Sequence, residues 1–117
     1  MATILVTDDD KECRETIRKA LEREGHVLEI AGDVDGAIRA IEQRHFDLIV
    51  CDYRMPGKTG LDLLAELDKL GSSIPVLLVS AFLDLHTEAA ARELGAVLLR
   101  KPFRRQQLLE SAALALR

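Results

Sequence analysis

Cysteine is scarce in this sequence, and its placement excludes more than it offers. The two cysteines, Cys13 and Cys51, form no C-x-x-C pair and share no Cys/His spacing, so no redox dithiol or metal pattern is encoded. One lies in an amphipathic segment and the other in an apolar run, the setting of packing thiols kept reduced in a cytoplasm. The histidines His26, His45 and His86 stand singly and suggest no metal site; surface or boundary positions are expected for all three. No apolar run is long enough to span a membrane. Met1-Ala2-Thr3 runs straight into Ile4, so no signal peptide is expected. Linkers, repeats and low-complexity segments are also missing, and a formal net charge of −4 argues against nucleic acid or an anionic membrane as main partner.

What is present is a chain of 117 residues, 48% hydrophobic, enough for one domain spanning 1–117 with a single core. Its centre is Leu48-Ile49-Val50-Cys51-Asp52-Tyr53-Arg54-Met55-Pro56. Leu48 to Cys51 reads as a strand buried on both faces, the habit of a parallel sheet flanked by helices. The run stops at a carboxylate, Asp52, and Pro56-Gly57 forces a turn soon after. Open α/β sheets place ligand chemistry at such strand ends.

The same alternation recurs along the chain. Ile4 to Thr7 predicts a strand ending in Asp8-Asp9-Asp10, with Asp10 as N-cap of a helix carrying Cys13, Ile17, Ala20 and Leu21 on one stripe. Residues 26–31 alternate as a half-exposed strand, and Asp33 caps a second helix with Val34, Ala37, Ile38 and Ile41 at helical spacing. Thr59-Gly60-Leu61-Asp62 has capping-box spacing and opens a third helix, with Leu61, Leu64 and Leu67 expected inward. Residues 75–80 form a fourth apolar strand, residues 83–94 roughly a fourth helix, and Val97-Leu98-Leu99 a fifth strand ending at Arg100-Lys101-Pro102. A last helix carries Leu108, Leu109, Ala112 and Leu116. Five β-α units imply a parallel sheet with helices on both faces, although pattern alone leaves the strand order open.

The strand ends then converge on one edge: Asp8 and Asp9, Asp52, Ser80, and Lys101. Three carboxylates held together raise one another's pKa, a conflict that a hard divalent cation such as Mg²⁺ resolves. A carboxylate nucleophile, a metal, a lysine and a hydroxyl are the parts that phosphoryl transfer needs.

Ile4-Leu5-Val6-Thr7-Asp8-Asp9, Asp52-Tyr53-Arg54-Met55-Pro56 with Gly60, Ser80-Ala81 and Lys101-Pro102-Phe103 together resemble a response-regulator receiver domain of two-component signalling, CheY-like, over essentially the whole chain. The resemblance implies a flavodoxin-like, doubly wound α/β fold with strand order 2-1-3-4-5. It implies that Asp52 accepts phosphate from a histidine kinase or histidine phosphotransfer protein in a Mg²⁺-dependent reaction, a signalling module and no true enzyme. Mg²⁺ would be bound by Asp9, Asp52 and the backbone carbonyl of Arg54, and by Asp8 through water. Ser80 and Lys101 would sense the phosphoryl group, with a cis Lys101-Pro102 peptide. A cytoplasmic location, signalling through the face of the fourth helix, fifth strand and last helix, no direct nucleic-acid or membrane binding by this domain, and a phosphorylation-dependent dimer as one open arrangement complete the expectation. The output is not encoded: the chain is either a stand-alone receiver or part of a larger regulator or hybrid kinase.

The chain departs from the receiver pattern at Leu98, where receivers usually carry Tyr or Phe, and the stretch 95–101 is one residue short. A leucine cannot swing a ring, which puts the usual switching in question. Arg54 and Phe82, two residues beyond Asp52 and Ser80, occupy positions that in receivers flank the path of attacking water, and their bulk is expected to slow dephosphorylation; for Phe82 the rival reading is partial packing against the fourth helix. A degenerate receiver acting as an unphosphorylated docking module is the main alternative. Asp8-Asp9-Asp10 also fits the Asp-x-Asp of haloacid-dehalogenase-like phosphatases, but Lys11-Glu12-Cys13 does not continue that motif. A flavodoxin-like redox module lacks its Ser/Thr/Gly-rich loop after the first strand.

Overall fold

A computed structural model describes residues 1–117. Strands β1 (Thr3–Thr7), β2 (Val27–Ala31), β3 (Leu48–Asp52), β4 (Val76–Ser80) and β5 (Val97–Arg100) alternate with helices α1 (Lys11–Arg23), α2 (Val34–Gln43), α3 (Gly60–Lys69), α4 (Leu85–Glu93) and α5 (Arg105–Ala115). All strand pairs are parallel, in the order β2-β1-β3-β4-β5, the flavodoxin-like arrangement. The end of β1 and the end of β3 are thus neighbours, with Thr7 opposite Cys51, and Asp8 and Asp52 continue side by side.

The pleat divides the core in two. Leu5, Ile49, Cys51 and Leu78 point to one face, where they pack with Val34, Ala37, Phe46, Leu63, Leu64, Leu67 and Ala91 beneath α2, α3 and α4. Ile4, Val6, Leu48, Val50, Leu77 and Val79 point to the other, against Ile17, Leu21, Leu108 and Ala112 of α1 and α5. Every residue of β3 and β4 is buried, which explains their unbroken apolar runs. At about 25 cal/mol per Å² of apolar surface removed from water, these two faces supply the main stabilisation.

Helix starts follow the caps expected from sequence. Asp10 accepts from the backbone N–H of Glu12 and Cys13, Asp33 from Gly36, and Thr59 and Asp62 form a reciprocal capping box. Two expectations are corrected. In α3, Leu63 is fully buried while Leu61 is only partly covered, so the inward stripe is Leu63, Leu64 and Leu67. The fourth helix begins at Leu85, because the Asp84 carboxylate accepts from Thr87 N–H and fixes the start there.

Candidate functional site

The three β1-terminal acids have separate positions. Asp10 is spent as the cap of α1. Asp8 is buried, with 1% of its surface exposed; its Oδ1 accepts from the Asp10 N–H at 2.9 Å. Its Oδ2 is buried without a hydrogen-bond partner. Asp9 faces solvent. Asp52, 9% exposed, closes the group, and one oxygen from each of Asp8, Asp9 and Asp52 lies within 4.8 Å of the others.

Asp52 is held by its backbone. Tyr53 N–H donates to the Val79 carbonyl at 2.9 Å, and Gly60 N–H donates to the Tyr53 carbonyl at 2.8 Å. A Cβ on Gly60 would stand 2.4 Å from Leu78 Cδ1 and 3.0 Å from the Asp52 carbonyl oxygen, so only glycine lets α3 approach this closely. Gly57 turns the intervening loop at φ +82°.

Lys101 enters from the far side of the sheet. Its backbone N–H donates to the Ser80 carbonyl at 2.8 Å, and the Lys101-Pro102 peptide is cis. Its Nζ lies 3.2 Å from Asp52 Oδ1 and 3.8 Å from Asp8 Oδ2. Burial, then the charge on Asp8, raises the Asp52 carboxyl above its ordinary 3.8, against the opposing pull of Lys101. Burial disfavours the Lys101 ammonium, but Asp52 leads the groups that outweigh this, and its pKa rises.

Three carboxylates facing one ammonium leave excess negative charge, and the orphaned Asp8 Oδ2 lacks a donor. An all-oxygen cluster of this kind fits a hard divalent cation.

Ser80 is less simply placed. It is buried at the end of β4, but its hydroxyl donates to the Phe82 carbonyl at 2.9 Å and accepts from the Phe82 N–H at 3.2 Å. Phe82 itself is 71% exposed. Leu98 is partly buried against the α2–α3–α4 face, as an apolar residue at that position should be. Arg54 is exposed beyond Asp52.

Sequence reasoning missed two neighbours of the site. Cys13 lies against both Asp8 and Lys101, and burial, then the neighbouring Asp8 carboxylate, pushes its thiol up to about 11. Arg14 donates to the Asp8 carbonyl at 3.4 Å. Their signal was the Asp10 cap, which makes the first turn of α1 overhang Asp8.

The sequence model of the response regulator receiver domain matches residues 4–113. The chain belongs to this receiver family. Its relatives include the DNA-binding transcriptional regulator NtrC of Azospirillum brasilense, 36% identical over 98% of this chain and 24% of that protein. The response regulator MprA of Mycobacterium ulcerans is 35% identical over 91% of this chain and 46% of that protein. This receiver therefore spans about a quarter to a half of those relatives' length. Among solved structures, the chemotaxis protein CheY4 of Vibrio cholerae superposes with a TM-score of 0.91 at 25% identity, covering 98% of each chain. The receiver domain of NtrX from Brucella abortus gives 0.89 at 34% identity over 97% of each. A receiver domain is a signalling module and no true enzyme, which sets aside the phosphatase and redox alternatives. No helix of the chain is long and apolar enough to cross a membrane.

Proposed function

We propose that this receiver takes a phosphoryl group onto Asp52 from the phosphohistidine of a histidine kinase or histidine phosphotransfer protein. The observation that carries the reading is the Lys101 ammonium, 3.2 Å from an Asp52 oxygen in a buried acidic cluster at the strand ends. An Asp52 oxygen attacks phosphorus, the P–N bond breaks, and the imidazole leaves with the electron pair and takes up a proton. The product is an acyl phosphate on Asp52. Lys101 balances the negative charge that gathers on the transferring oxygens. Raised basicity suits Lys101 to this, since it stays protonated through the step. The buried sides of β3 and β4 keep the carboxylate fixed against the incoming group.

Asp9, Asp52 and the backbone carbonyl of Arg54 would hold Mg²⁺ directly, with Asp8 through water. When bound, the cation supplies charge neutralisation for the phosphoryl oxygens. Ser80 would donate to one of those oxygens once its hydroxyl leaves Phe82. The face of α4, β5 and α5 would carry the altered state to a downstream partner, in a cytoplasmic setting.

Intact mass after incubation with acetyl phosphate, with and without Mg²⁺, tests the reading. A single-phosphate adduct that needs Mg²⁺ and disappears in Asp52→Asn is the expected result. An adduct surviving in Asp52→Asn would move the nucleophile elsewhere. No adduct from either acetyl phosphate or a phosphorylated histidine kinase would favour the unphosphorylated docking module.

A further inference from the structure

Beside the site, between β4, β5 and α4, lies a cavity of about 160 Å³. Leu78, Leu83, Leu98 and Leu99 form its apolar half; the other half is polar, with Ser80, Glu88 and two arginines, and the cavity is partly open to solvent. A ring laid against the leucine half would remove apolar surface from water. A volume of about 150 Å³ is room enough for a benzene ring. Beside it in the chain stands an exposed phenyl ring: Phe82 is two residues from Ser80 and adjacent to Leu83, both in the lining, yet it is 71% exposed.

What keeps the ring outside is visible in the hydrogen bonds. The connector 81–83 is fastened by the reciprocal pair between Ser80 Oγ and the Phe82 N–H and carbonyl. Neither Ala81 nor Leu83 makes a backbone hydrogen bond of its own outside the regular elements. Both tethers therefore depend on one hydroxyl.

We propose that Phe82 is the moving aromatic of this receiver, held outward by Ser80 and released into the Leu83–Leu98 cavity when Ser80 turns to a phosphoryl group on Asp52. The inference rests on Asp52 being the acceptor. An anionic phosphoryl oxygen is a stronger acceptor than the neutral Phe82 carbonyl, so the hydroxyl proton transfers its allegiance to it. The Phe82 carbonyl and N–H are then freed together, the connector loosens, and burial of the ring draws it into the cavity. Leu98 is what leaves room. A ring at position 98 would fill the same space, so the leucine there and the unpacked phenylalanine at 82 are two parts of one arrangement. The outcome is a changed start to α4, where Leu85 is already 85% exposed.

The experiment is ¹⁹F NMR on the full chain carrying 4-fluorophenylalanine at its three phenylalanines, Phe46, Phe82 and Phe103, with a soluble gadolinium chelate as the exposure probe. Phe82→Leu identifies the resonance. Acetyl phosphate with Mg²⁺ should lower the relaxation enhancement of the Phe82 fluorine at least twofold, in step with the phosphoryl adduct seen by intact mass. Ser80→Ala, which removes both tethers, should lower it without any phosphodonor. Leu98→Phe should keep Phe82 exposed while the adduct still forms. An adduct with Phe82 as exposed as before overturns this inference alone. No adduct overturns the acceptor reading beneath it and this inference with it. Should Leu98→Phe fail to fold, the Ser80→Ala comparison decides: unchanged exposure there refutes the tether.

Discussion

Replacing Asp52 by asparagine should stabilise the protein in the absence of divalent cations, even though it removes the proposed acceptor. At an effective dielectric near 20, like charges at the 4.8 Å outer limit of this cluster repel by roughly 3.5 kcal/mol, and the Lys101–Asp52 pair at 3.2 Å attracts by roughly 5 kcal/mol. Asp8 and Asp9 together therefore exceed Lys101 by about 2 kcal/mol, and burial of Asp52 acts in the same direction. Asp9 is exposed and partly screened, so a net gain of about 1 kcal/mol is expected for Asp52→Asn. For a chain of 117 residues this corresponds to a rise in Tm of about 3–5 °C. The assay is thermal unfolding by circular dichroism in EDTA at neutral pH. The pH dependence has a definite sign. The raised Asp52 carboxyl binds its proton more tightly in the folded state, so its charged form costs stability above the folded pKa. The gap between wild type and Asp52→Asn should close as pH falls through that value towards the ordinary 3.8. A variant that melts at or below wild type in EDTA would mean that Lys101 already outweighs burial and Asp8, and would refute the reasoning.

Mg²⁺ should raise the melting temperature of wild type, by about 2.7 kcal/mol of added stability at a hundredfold excess over Kd, and Asp9→Asn should lose most of the effect in the same titration. Gly60→Ala forces Leu78 or the Asp52 backbone to shift and should cost about 1–3 kcal/mol in urea unfolding; it should also lower the acetyl phosphate adduct yield, and an unaffected yield would show that α3 gives way instead. Hydrogen bonds from Thr3 N–H, then His45, hold the Asp47 carboxyl below its ordinary 3.8. That contribution is present above the ordinary value and is lost as pH falls through the depressed one, so Asp47→Asn should flatten the acid limb of the stability curve. Truncating Arg54 to alanine should shorten the lifetime of the Asp52 phosphoryl group, followed by intact mass after removal of the donor; an unchanged lifetime would sink the idea that its bulk excludes water.

The fold was largely legible because strands buried on both faces declare themselves. β3 and β4 must be apolar throughout, and their ends are marked by the first residues that cannot be, Asp52 and Ser80. Caps were readable where the carboxylate or hydroxyl sits at a fixed offset from the N–H it serves, as at Asp10 and Asp33. Strand order was not in the pattern; it came with the receiver resemblance. The phase of α3 was ambiguous because Leu61, Leu63, Leu64 and Leu67 allow two inward stripes, and packing against Ile49 and Leu78 chooses between them. Phe46 gave no periodic signal in the connection before β3, yet it is fully buried, since a single large side chain can plug the end of a layer. Least legible was the direction of the Ser80 hydroxyl. A serine at a strand end can serve the site or its own loop with equal local chemistry, and only the backbone of 81–83 decides it here.

The close seat of Gly60 on the Asp52 carbonyl has a mechanical corollary. Compliance around the acidic cluster is lopsided: on the α3 side there is no slack, while on the α4 side a three-residue connector hangs from one hydroxyl. A load applied at Asp52 cannot be shed towards α3, where backbone meets backbone. It travels the other way, so the direction in which this domain yields is set by where a single hydrogen atom stands in for a side chain.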